Sequence, residues 1–300
     1  MTARVARNIP KHAGAARALR RKEALVGLAF IMPSLAGIAV FVLIPFADAV
    51  CRSVTQGFTG VFVGFRYYTE IFNNASFKTA LANTSRFMLL CVPLLLVISL
   101  AAAIMLSGKV HGRNALRAEF LTPMAIPVAS VALLWQLLFH QNGLINVSLA
   151  ALGLAKVDWM GSDASLFCLI ISYIWKNIGY TMVLFIAGLS GISQSLYEAA
   201  AVDGAGPSRR FFSITLPCLL PTLFTVTVLS MLGTFKAYRE AYLVAGSYPQ
   251  GSIYLVQHTL NNWFSKLEIE KLSAAAVVIA LMILALVFLL NKAWNRDRTA

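Results

Sequence analysis

Six apolar runs separated by polar stretches set the pattern of this chain: 25–46, 87–106, 118–139, 165–189, 217–235 and 272–290. A helix rises about 1.5 Å per residue and needs ~20 apolar residues to cross ~30 Å of hydrocarbon. The pattern therefore predicts an all-α integral membrane protein with six transmembrane helices. The first run is too long for a signal-peptide core and is expected to remain as an uncleaved span despite Pro33. Pro93 falls in the second run, and Pro123 and Pro127 in the third. Inside a membrane helix a proline kinks or interrupts the hydrogen-bond ladder, and neighbouring groups satisfy the freed carbonyls. Pro217 and Pro221 are expected to open the fifth span, where a first helical turn needs no internal donors.

Two stretches depart from this alternation. Residues 198–221 read EAAAVDGAGPSRRFFSITLPCLLP. Glu198, Ala199 and Ala200 favour a helix, and Gly204 can take the left-handed conformation that ends one. A second helical start follows Pro207, with Arg209 and Arg210 beside it, so the stretch predicts a helix, a turn and another helix held outside the bilayer. In the fourth run Tyr173, Lys176, Asn177 and Tyr180 share one face at 100° per residue, while Trp175 points away. Lys176 lies near mid-span, where an ionisable group is costly and by default a functional-site candidate. Pairing with a neighbouring helix or snorkelling along its own stem satisfies the charge equally well, and the sequence leaves these readings open. Thr227, Ser230 and Thr234 form a hydroxyl stripe in the fifth run, of the kind that bonds backbone or a neighbouring helix more often than a ligand.

Composition agrees with a membrane chain: 59% hydrophobic, 12% charged, mean hydropathy +0.74 over 300 residues, against ~25% charged in soluble domains. The net charge of +13 points to topology rather than nucleic acid once the charges are placed. With the amino end inside, inner segments hold 15 Lys and Arg and outer segments 9, which orients both termini and the 198–217 loop to the cytoplasm. Residues 1–24, with Arg4, Arg7, Lys11, Arg17, Arg20, Arg21 and Lys22, read as a basic tail near anionic lipid. Cys51, Cys91, Cys168 and Cys218 are scattered, with no ligand spacing, so neither a metal nor a disulfide framework is expected. The chain has no phosphate-binding loop, no H-E-x-x-H and no G-x-S-x-G, and no catalytic residue is assigned. A repeat of the kind that builds secondary transporters is not seen either.

The 198–217 stretch resembles the EAA loop of ABC importer permeases: E-A-A, three residues, G, nine residues, I-x-L-P. Glu198, Ala199, Ala200, Gly204, Ile214, Leu216 and Pro217 hold every fixed position. Other stretches are similar to carbohydrate permeases: Val63, Gly64, Tyr68, Phe77, Ala80, Leu81, Asn83 and Thr84; Gly143, Ile145 and Asn146; and W-K-x-I-G-Y at 175–180. The chain departs from that pattern at Phe65 and Tyr67, at Ile192 and Ser193 where the family has I-P, and at 245–249. The resemblance covers most of 25–290 and implies the type I ABC importer permease fold in a bacterial cytoplasmic membrane, with 291–300 as a second inner tail. It implies a second permease subunit, two ATPase subunits binding ATP and Mg, an extracytoplasmic solute-binding protein and a sugar substrate, with no cofactor in this chain. On that reading Glu198, Ala199, Ala200, Asp203, Gly204, Arg209 and Arg210 couple to the ATPase, and Tyr173, Lys176, Asn177 and Tyr180 face the solute. Lys176 does not argue for an acidic solute, because the family often has Lys there among permeases for neutral sugars. The rival readings are an ABC permease for glycerol phosphate, phosphate, polyamine or amino acid, and a secondary transporter or channel working without an ATPase.

Overall fold

The computed structural model describes residues 12–57, 59–108, 111–249 and 251–296. Arg4, Arg7 and Lys11 of the basic tail, Lys109 of the turn after the second run and Arg298 near the C-terminus lie outside the described residues. In chain order α1 (His12–Ile38) passes through a π turn (Ala39–Leu43) into α2 (Ile44–Arg52). Next come α3 (Arg66–Asn73), α4 (Ala75–Ser107), α5 (Arg113–Ala125), α6 (Val128–Phe139), α7 (Leu144–Ala151), α8 (Ala164–Ser190) and α9 (Gln194–Val202). Then α10 (Pro207–Arg210), a π turn (Phe211–Thr215), α11 (Leu216–Thr234), a 3-10 turn (Phe235–Ala237) and α12 (Tyr238–Ala245) follow without a break, and α13 (Val256–Ser265) and α14 (Ile269–Arg296) close the chain. Among the described residues six stretches are long and apolar enough to cross a membrane: Lys22–Arg52, Ala75–Ser107, Val128–Ala151, Ala164–Ser190, Pro207–Ala245 and Ile269–Lys292.

Prolines divide these rods in two ways. Ile126 and Pro127 are extended, with ψ of 129° and 141°, and separate α5 from α6 inside the third apolar run, whereas Pro123 stays within α5. Pro45 and Pro217 instead each follow a π turn, in which Ile44 N–H donates to the Ala39 carbonyl and Leu216 N–H to the Phe211 carbonyl. A proline ring crowds the carbonyl four residues back, and one wider turn relieves the crowding while the helix continues. The fifth helix therefore does not start at Pro217. It starts at Pro207, within the polar loop, and runs on to Ala245.

The core lies along α4 and α8, which run side by side in the same direction. Phe87, Cys91 and Leu95 meet Leu169, Ile170 and Tyr173, and further along Ala103 and Leu106 meet Met182, Phe185 and Ile186. α5 crosses α8 at Gly179, where a Cβ would collide with the Phe120 backbone, so only glycine permits the approach. The first apolar run, 25–46, has no such packing. Phe30 of α1 and Phe41 of the π turn are 82% and 80% exposed, and the run is apolar all round, as suits a helix whose surroundings are hydrocarbon or another chain.

The loops expected on the outer side form a packed cap built by buried amides. Asn146, fully buried, accepts hydrogen bonds from Val157 N–H and Trp159 Nε1, and donates to the Val157 and Gln141 carbonyls. Asn83 donates to the Gly251 and Tyr254 carbonyls, and Thr84 Oγ1 accepts from Val256 N–H at 2.9 Å, so α4 holds the entry to α13. His258 Nδ1 accepts from Leu255 N–H at 3.0 Å, satisfying another donor at that helix start. Burial between Tyr238 and Tyr254 pushes the His258 imidazole down to about 4, which keeps it neutral near pH 7.

Candidate functional site

The polar loop folds as an elbow. α9 carries Glu198, Ala199 and Ala200 and ends in a left-handed turn at Gly204, φ +74°. Gly204 N–H donates to the Ala201 carbonyl and Ala205 N–H to the Ala200 carbonyl, the two bonds that close a helix end over a left-handed residue. Pro207 then starts the long rod, its missing N–H costing nothing in a first turn. Glu198, Ala199, Asp203, Gly204 and Arg209 are exposed, while Ala200 and Arg210 are half-buried. Arg210 is committed inward, its Nε donating to the Ala205 carbonyl at 2.7 Å. Tyr197 Oη and Thr215 Oγ1 lie 2.9 Å apart and clasp α9 to the rod. Sequence reasoning passed over the exposed apolar groups of this knob, Leu196, Val202 and Phe212, of which Val202 is 89% exposed. Beside the elbow, Arg117 of α5 donates to the Leu106 carbonyl at 3.0 Å, a cation at the C-terminal end of α4.

A cavity of ≈ 320 Å³ opens between α8 and α11, with Leu95 of α4 and Met124 of α5 at its margins. Tyr173, Asn177 and Tyr180 line it, with Thr181 one turn beyond Asn177, and with Ser230 and Lys236, which lie outside the fourth run and its periodicity. The absence of a side chain at Gly233 makes room for the Tyr173 hydroxyl, since a Cβ there would sit 2.6 Å from it. Asn177 Nδ2 donates to the Tyr173 carbonyl at 2.8 Å, and Tyr180 is 40% exposed toward the opening. The hydroxyl stripe divides. Thr227 and Thr234 bond the carbonyls of Leu223 and Met231, and Ser230 faces the cavity.

Lys176 is not among the lining residues. Its Nζ lies 3.1 Å from Glu240 Oε1 on α12, with the two side chains 13% and 11% exposed. The pairing arises because α12 continues the fifth rod and folds Glu240, 64 residues further on, over α8. Glu240 Oε2, Ser172 Oγ and Trp135 Nε1 have no hydrogen-bond partner among the described residues, and their three side chains border one cavity of ≈ 30 Å³, room for a single water.

Residues 95–298 match the family model described as binding-protein-dependent transport system inner membrane component. The trehalose/maltose transport system permease protein MalF of Thermococcus litoralis is 31% identical over 287 residues, covering 93% of this chain and 97% of that one. The sn-glycerol-3-phosphate transport system permease protein UgpA of Yersinia pestis is 30% identical over 263 residues, covering 85% and 89%. A crystal structure of a bacterial ABC transporter involved in the import of the acidic polysaccharide alginate superposes with a TM-score of 0.78 at 23% identity, covering 94% of this chain and 98% of that one. The expected fold class is borne out: all-α, with six candidate spans, in the arrangement of an ABC importer permease. With two thirds of its length under one family model and relatives aligned almost end to end, the chain belongs to the binding-protein-dependent transport system inner membrane component family.

Proposed function

We propose that this chain is one of two permease subunits of a bacterial sugar importer in the cytoplasmic membrane, with both termini cytoplasmic. Two ATPase subunits binding ATP and Mg drive it, and an extracytoplasmic solute-binding protein delivers the solute. The observation that carries the reading is the elbow. It presents Glu198, Asp203, Arg209, Val202 and Phe212 outward on a glycine-closed turn, a surface of mixed charge and exposed apolar area suited to a protein partner. Its second limb is the start of the fifth rod, so displacement of the elbow tilts α11 beside the cavity. Rigid-body rocking of two such subunits would expose the cavity alternately to the two sides.

Tyr173, Asn177, Tyr180, Thr181 and Ser230 offer aromatic area and hydrogen-bonding groups to replace the water around a polyhydroxylated solute. Lys176 serves as a strut to α12 rather than as a solute contact. Similarity to a trehalose/maltose permease favours a sugar, and similarity to a glycerol phosphate permease favours a polyol phosphate as the second reading. The test is to purify the assembled complex with its binding protein and measure which solutes stimulate ATP turnover. Glu198→Lys is expected to cut recovery of the ATPase subunits and solute-dependent turnover about tenfold or more, with the permease still inserted. Undiminished turnover would remove the elbow from the coupling role.

A further inference from the structure

Of the twelve residues lining the cavity between α8 and α11, Lys236 alone carries a charge. No carboxylate lies among the lining. Glu240, one turn further along the same rod, lies outside this lining and is bound to Lys176, and its side chain borders the small cavity beside Ser172 and Trp135. Lys236 itself is exposed and enters no ion pair or hydrogen bond among the described residues. Around it stand neutral donors and acceptors, Tyr173, Asn177, Tyr180, Thr181 and Ser230, and apolar Leu229 and Leu232.

Near a protein surface the effective dielectric is below that of bulk water, so an anion brought within a few ångströms of this ammonium gains more there than in open water. Hydroxyls of an uncharged sugar need none of this, because the neutral groups already present both donate and accept. The surplus is one positive charge facing the solute space. We propose that Lys236 is the specificity-determining charge of this path, and that the solute it takes is a sugar or polyol bearing an acidic group: a carboxylate, a sulfonate or a phosphate. The proposal rests on the reading of the cavity as the solute path.

The experiment uses the complete complex in proteoliposomes with its binding protein, and the probes are a uronic-acid oligosaccharide, a sulfonated sugar, glycerol 3-phosphate, trehalose and maltose. Wild-type complex is expected to take up one of the three acidic probes with ATP and to discriminate against the neutral pair. Lys236→Gln is expected to lower that uptake about tenfold or more, the size of a lost charge-assisted contact, chiefly by raising the half-saturating concentration. Lys236→Arg, which keeps the charge, should restore most of it. Recovery of the ATPase subunits with Lys236→Gln shows that the variant assembles, and if it does not assemble, the wild-type preference for acidic over neutral probes decides the matter alone. Uptake of trehalose or maltose in preference to the acidic probes would overturn the proposal and leave the importer reading intact. So would acidic uptake unaffected by Lys236→Gln, the result expected if a facing acid of the second permease subunit neutralises the lysine. Absence of ATP-driven uptake of every probe would overturn both.

Discussion

At the scale of single residues, the two lysines near the middle of the molecule differ through their neighbours. Lys176 and Glu240 are held 3.1 Å apart with little exposure, and in such a pair the attraction mainly offsets the cost of removing two charges from water. Removing one partner strands the other. Lys176→Met or Glu240→Leu alone is expected to destabilise the assembled complex by about 3–5 kcal/mol, while the double variant should recover most of the loss. Denaturation of the purified complex, read as a double-mutant cycle, checks this. Additive losses in the double variant would show that the pair does not act as a unit. The sequence presented Lys176 with this outcome open, because helical periodicity gives the side of a helix a residue lies on and not what stands opposite. Tyr173, Asn177 and Tyr180 were legible from that periodicity, since a shared face is all that lining one cavity requires. Lys236 was not, because the apolar run ends just before it and the residue reads as the start of a loop, while the helix passes through it unbroken.

Among the elements, the joint between α9 and the rod depends on one backbone conformation. Gly204 has φ +74°, and nothing lies within 4 Å of where its Cβ would be. A substitution there acts through the backbone alone and not through a clash. Gly204→Val is expected to disfavour the turn by about 1–2 kcal/mol or more, and Gly204→Asn by much less, because Asn visits the left-handed region readily. Solute-stimulated ATP turnover and recovery of the ATPase subunits should fall for valine and largely persist for asparagine. Equal loss in both would mean that the glycine is needed for contact and not for its conformation. This joint was legible from E-A-A followed by glycine, which is the composition of a helix with a left-handed end. The part played by Arg210 was not: two adjacent arginines look alike in sequence, yet one faces outward and the other bonds the Ala205 carbonyl to brace the turn. The π turns were equally hidden. They differ from α-helix only in the reach of a backbone bond, and Pro217, which follows the second of them, looks like a helix start.

Across the whole molecule, the continuity of the rod from Pro207 to Ala245 ties the elbow to both polar sites. α11 supplies Ser230 to the cavity, the 3-10 turn supplies Lys236, and α12 supplies Glu240 to the strut on α8. A helix of 39 residues is ~58 Å long at 1.5 Å per residue. Small displacements at one end reach the other only if no joint along it is loose. The π turn at Phe211–Thr215 is the one stretch between elbow and cavity where the ladder departs from α geometry, yet the Tyr197–Thr215 clasp crosses it and holds it against α9. Inserting two glycines after Thr215 would soften that joint and rotate α11 relative to the elbow, with α9 and the turn at Gly204 untouched. If stiffness of the rod carries the work, the altered complex should still recover its ATPase subunits through the intact elbow and hydrolyse ATP, while solute uptake per ATP falls severalfold or more. Parallel measurement of turnover and uptake in proteoliposomes separates the outcomes. Unchanged uptake per ATP would mean that the motion reaches the cavity through the turn that joins α8 to α9, and that the fifth rod follows rather than leads.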